Sequence, residues 1–241
     1  ADGEIETLIM GLDGNDGEQS RISGELDLVL ENFVSVRGAF AVQTQEVETV
    51  IVDDAPVETE LLTIALDDVT IFAGSGTAED GVGLVFEDVD IALAMFAERG
   101  GDRSWSALQG GGSTAFVGLD AVDFSIDDSE VYFNRSASDG SVIDFAAMRD
   151  DDDAFSVIVG TDVFGRDLRV LFGMDGADGD QLGVAGGITL GIADFVHVEG
   201  AFAFTRSELE ATLNDGSVTA TDLLTFGLND VSVFAGVNHG T

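Results

Sequence analysis

The chain has 241 residues, 45% of them hydrophobic, and sets 47 Asp and Glu against 9 basic residues, for a formal net charge of -38. This is enough apolar material to bury a core, and the negative field excludes nucleic acid and anionic membrane surfaces as partners while attracting cations. The absence of cysteine excludes disulfide stapling and thiolate chemistry.

All nine basic residues are Arg, and Asp outnumbers Glu 31 to 16. Two environments account for such a bias. One is high external salt, where a dense carboxylate surface stays hydrated. The other is a calcium-containing extracellular space, where Asp oxygens coordinate the ion. The opening "ADGEIETL" reads as a mature terminus left after cleavage behind a small residue. No apolar run reaches the ~20 residues of a membrane span, so membrane insertion is not expected.

In chain order, the first feature is "GLDGNDGEQ" (11-19), which returns as "GMDGADGDQ" (173-181). A shift of 162 residues aligns 3-79 with 165-241 without a gap, with 29 identities in 77 positions. "FVSVRGAFAV" (33-42) falls on "FVHVEGAFAF" (195-204), and "LLTIALDDVTIFAG" (61-74) on "LLTFGLNDVSVFAG" (223-236). This is an internal repeat. The division expected is one full unit, 3-164, followed by a half unit, 165-241.

Within the unit the pattern is β. Leu26, Leu28, Leu30, Val34, Val36, Phe40 and Val42 share one parity, as in a strand with one buried face. A tetrapeptide signature, apolar then two mostly polar then apolar, recurs as "LENF" (30-33), "LDDV" (66-69), "FEDV" (86-89), "LDAV" (119-122), "IADF" (192-195) and "LNDV" (228-231). Two inserted residues shift the inward parity by one, as a bulge or corner does. The reading is an all-β, elongated β-solenoid-like array of the ~162-residue repeat, with a Greek-key β-sandwich as the alternative.

The succession "FVHVEGAFAF", "LLTFGLNDVSVFAG", "VGLVFEDVDIALAMF", "RSWSALQ" and "FVGLDAVDFSIDDSEVYFNRSASDGSVIDFAA" resembles the long β-rich repeats of giant bacterial secreted or cell-surface proteins. Those are adhesin-like, RTX-associated and haemagglutinin-like chains. The resemblance covers most of 20-148 and 183-241. It implies an extracellular structural or adhesive role and supplies no catalytic residues.

The acidic turns come nearest to a ligand site. Calcium takes six to eight oxygens, and both turns match the RTX form G-G-x-G-x-D except at the second Gly. Asp13, Asn15, Asp16 and Glu18, with Asp175, Asp178 and Asp180, are the candidate calcium ligands, against a plain solvated turn. "RDDDDAF" (149-155) reads as an exposed loop that an ion would calm. Only His197 and His239 could act as bases near neutral pH, and the repeat sets Ser35 and Thr77 opposite them, so no enzyme is expected. Trp105 and Tyr132, the lone residues of their kinds, read as core anchors rather than sugar platforms.

The function expected is that of an extracellular, cation-stabilised structural protein, a homo-oligomeric subunit of a cell-surface filament, tube or adhesive layer. The alternative is a calcium-dependent adhesin or carbohydrate-binding module for cell-surface glycans. Because 165-241 repeats only the first half of the unit, it is expected to expose a sheet edge and to dock on a neighbouring subunit.

Overall fold

The computed structural model describes residues 18-31, 33-148, 155-161, 167-193 and 195-237. Eleven strands run through them: β1 Gln19–Leu30, β2 Val34–Thr49, β3 Val57–Ser75, β4 Val82–Glu98, β5 Ser104–Val117, β6 Val122–Arg135, β7 Ser156–Thr161, β8 Asp167–Leu171, β9 Gln181–Ile192, β10 Val196–Thr212 and β11 Val218–Ala235. One 3-10 turn, Gly176–Asp178, is the sole helical element among the described residues. The protein is all-β, as the alternating pattern predicts.

Nine strands form one sheet in the order β1-β2-β3-β4-β5-β6-β9-β10-β11, every neighbouring pair antiparallel, while β7 and β8 pair only with each other. Successive strands are neighbours except where 136-180 leaves the sheet between β6 and β9. The strands reach 19 residues in β3, because bulges let each change its inward parity without breaking the ladder.

The tetrapeptide signature serves two purposes. "LENF", "LDAV" and "IADF" are hairpin turns, closed by bonds from the amides of Phe33, Val122 and Phe195 to the carbonyls of Leu30, Leu119 and Ile192 at 2.8, 3.1 and 2.9 Å. "LDDV", "FEDV" and "LNDV" are bulges, in which Asp68, Asp88 and Asp230 take φ of 49°, 50° and 51°. At the first two, the register slips between Leu66 and Val69 and between Glu87 and Asp90. The buried parity changes there: Ala92, Ala94 and Phe96 are even, Val85 and Val89 odd. Asp tolerates left-handed backbone better than most residues, since its short side chain bonds locally.

Residues 162 apart in sequence occupy equivalent places. Glu31 and Ala193 both have φ of 47°. Gly74 N bonds Phe33 O at 2.9 Å, and Gly236 N bonds Phe195 O at 2.8 Å. The strands β1, β2 and β3 thus have their counterparts in β9, β10 and β11.

The main core lies where segment 136-180 folds back over β3, β4 and β5. Ala65, Ala92, Ala94 and Ala107 keep the sheet surface low, with Leu61, Phe96 and Trp105 beside them. The space is filled by aromatic rings from the returning segment. Phe145 lies 5.9 Å from Phe96, 5.5 Å from Phe155 and 5.3 Å from Phe172 between ring centroids. Such tilted pairs contribute about 0.5–1.5 kcal/mol each beyond their area. The segment is also stitched by backbone bonds, Val52 N to Val142 O at 3.1 Å and Asp144 N to Val50 O at 3.0 Å.

The inward face of β1 and β2 differs from the parity expected. Phe40 and Val42 are half-buried and Leu28 and Leu30 exposed, whereas Ala41 and Gln43 of the other parity are buried. The physical reason is the returning segment: it covers the face to which β3 contributes Leu61, Thr63 and Ala65, and Gln43 and Ala41 pair with Thr63 and Ala65.

Candidate functional site

Of the predicted calcium ligands, Asp13, Asn15 and Asp16 lie outside the described residues, and Glu18 is exposed just before β1. The second acidic turn is described. Asp175 caps the 3-10 turn, its Oδ1 accepting from Ala177 N at 2.9 Å. Asp180 Oδ2 accepts from the hydroxyl of Ser136 at 3.2 Å and from its amide at 3.4 Å. Gly176 is buried, and a Cβ there would come 2.5 Å from Val52 Cγ2 and 2.8 Å from the Ile143 carbonyl. The turn therefore closes segment 136-180 onto the sheet through a glycine and two carboxylates already engaged with protein donors. Among the described residues no group of three or more acidic, His or Cys side chains is placed to hold a metal.

Residues 149-154 of "RDDDDAF" and His239 lie outside the described residues. His197 is half-buried on β10, its Nε2 3.6 Å from Glu199 Oε2, in a hollow lined also by Asp120, Asp123 and Val196. Trp105 is buried, with its indole N–H donating to Ser141 O at 3.0 Å, as a core anchor does. Tyr132 is half-buried on β6, where Gly183 of β9 leaves room for its ring.

An ionic node beside Trp105 was not legible in the sequence. The Arg103 guanidinium meets Glu98 through Nε at 2.9 Å and Nη2 at 2.8 Å, reaches Asp54 Oδ2 at 2.9 Å, and lies 5.3 Å over the Trp105 ring. Hydrogen bonds from Arg103 hold the Asp54 and Glu98 carboxyls below the usual carboxylate range. Asp139 is lowered chiefly by the Ser141 hydroxyl and amide. The node fastens three separated parts of the chain at the start of the returning segment. Asp67, at the β3 bulge, moves the other way: burial raises its pKa first, then the charges of Asp90 and Asp68. Asp90 Oδ1 there accepts from Asp68 N at 2.9 Å, a cross-strand cap on the bulge.

The most prominent surface feature is the outer strand β11. Leu224, Phe226, Leu228 and Val233 are 63, 64, 61 and 67% exposed, and among the described residues β10 is its one strand neighbour. At the other edge, β1 exposes Ile22, Val29 and Leu30. Contiguous apolar exposure on this scale marks an interaction surface. Compared with known proteins, the chain matches no family model, no curated protein and no solved structure.

Proposed function

We propose that the protein is an extracellular structural protein, a subunit that assembles head to tail with copies of itself into a cell-surface filament, tube or adhesive layer. One observation carries this reading. Leu61 and Val69 of β3 are 0 and 1% exposed, whereas their repeat counterparts on β11, Leu223 and Val231, are 44 and 47% exposed. A side chain kept apolar at a position exposed in the isolated chain points to burial in an assembly.

The array is solenoid-like in the sense that units add strands along one axis. The single run of antiparallel neighbours, with no second sheet of similar size among the described residues, favours this over a two-sheet sandwich. Cations contribute by screening a surface of net charge -38, and calcium at the paired acidic turns, Asp175, Asp178 and Asp180 in the second, is the specific form of that contribution. Electron microscopy with sedimentation of the purified protein tests the reading. Regular polymers are expected. A monodisperse monomer at every protein, salt and calcium concentration would remove it, and calcium-dependent capture of glycans by that monomer would favour a binding module instead.

A further inference from the structure

The internal repeat shows what a covered β11 looks like, because β3 is the same strand with its partner in place. From 61 to 74 and from 223 to 236, nine of fourteen residues are identical. In β3 this stretch pairs with β4, Leu61 opposite Phe96 and Gly74 opposite Gly83. The pairing requires glycine at 74: a Cβ there would run into the Val82 carbonyl and come 2.7 Å from Gly83 Cα. In β11 the counterpart Gly236 is also glycine, yet a Cβ there would meet only the Phe234 ring, at 3.1 Å. The left-handed Asp is retained too, Asp68 at φ 49° and Asp230 at 51°, though it is β4 that supplies the Asp90 cap to Asp68. β11 thus carries the fittings for a β4 neighbour.

The opposite edge is not interchangeable in this way. β9 seats on β6 through Gly183, under the Tyr132 ring, where any side chain would collide. Its counterpart in β1 is Arg21.

We propose that the outer edge of β11 is a docking site for strand β4 of a second copy of this chain. β4 of that copy becomes available when its own β1-β3 gives way to the incoming β9-β11, an exchange of like for like of the kind that makes swapped assembly inexpensive. The junction formed reproduces the β3-β4 contact already present inside the chain: Leu223 meets Phe96, and Asp90 caps Asp230. The proposal rests on the assembly reading for the identity of the partner. The fit of β11 to β4 stands on the repeat alone.

Two variants of the full chain test it, with hydrogen exchange of β11 and sedimentation as readouts. Gly236→Val places a branched side chain where β4 must pass and is expected to abolish assembly and β11 protection. Gly227→Ala installs the residue that β3 carries at Ala65 and is expected to leave both unchanged. Equal effects of the two, or none from Gly236→Val, overturn the proposal, as does a dimer formed by β11 pairing with β11. A third protein, the full chain followed directly by a second copy of residues 80-164, separates the two readings. Slowed exchange of β11 amides in it, reversed by Gly236→Val, supports the docking site even where the native chain does not polymerise. Unchanged exchange there overturns the site even where the native chain does polymerise.

Discussion

Arg103 gathers carboxylates from three parts of the chain, and its effect is best read by titration. Asp54 and Glu98 have folded pKa values below their ordinary 3.8 and 4.5. The stability they contribute is therefore present above those ordinary values and is lost as pH falls through the lower folded ones. Arg103→Gln should lower the denaturation midpoint at neutral pH and flatten this acid limb; an unchanged limb in denaturant titrations between neutral and acid pH would contradict the node. Asp67 has the reverse sign. Its folded pKa is raised above 3.8 by burial and by Asp90 and Asp68, so its favourable contribution is present below that value and lost as pH rises through the folded pKa. Asp67→Asn should stabilise the protein at neutral pH and leave it unchanged in acid.

At the scale of elements, Phe145 is 0% exposed and touches three other rings. Phe145→Ala should cost about 3–5 kcal/mol by urea denaturation, and a loss under ~1 kcal/mol would mean that the returning segment is not the core. Asn134 is buried and donates to the Ile143 carbonyl at 2.8 Å; its replacement by Ala, which strands that carbonyl, should cost about 1–3 kcal/mol. A Cβ at Gly38 would sit 2.6 Å from Val69 Cγ2 at φ 151°, whereas one at Gly200 would sit 2.9 Å from Val231 Cγ2 on the uncovered β11. Gly38→Ala should therefore destabilise more than Gly200→Ala, and equal losses would argue against the difference in packing between the two copies.

The same scale shows what was legible in the sequence. The strands and the repeat were, because alternation and self-similarity are local. The parity shift at "LDDV" and "FEDV" was too, since one extra residue changes the face whatever surrounds it. The division of the signature into turns and bulges was not: "LDAV" and "LDDV" share a pattern, and their difference lies in whether the chain reverses or a neighbour continues alongside. "GMDGADGDQ" looked like an ion loop because its contacts with Ser136 and Val52 join residues far apart in sequence. For the same reason Arg103 could not be matched to Asp54, 49 positions away.

For the whole molecule, charge and sheet edges set the behaviour. A net charge of -38 disfavours association at low salt, so both screening and specific ion binding promote it. If the paired turns bind calcium, chelation should lower the thermal midpoint, since an ion bound only by the folded state stabilises it by mass action. Asp175→Asn with Asp178→Asn should then reduce the calcium response. Full restoration by sodium chloride at matched ionic strength would reduce the ion's role to screening. The claim that units add strand by strand to one sheet makes a sharper demand, because the strands must then lie across the growth axis. Diffraction from oriented assemblies of the purified chain measures this directly. A reflection at about 4.7–4.9 Å along the assembly axis is the expected result, and the same spacing perpendicular to the axis would contradict growth through the β11 edge.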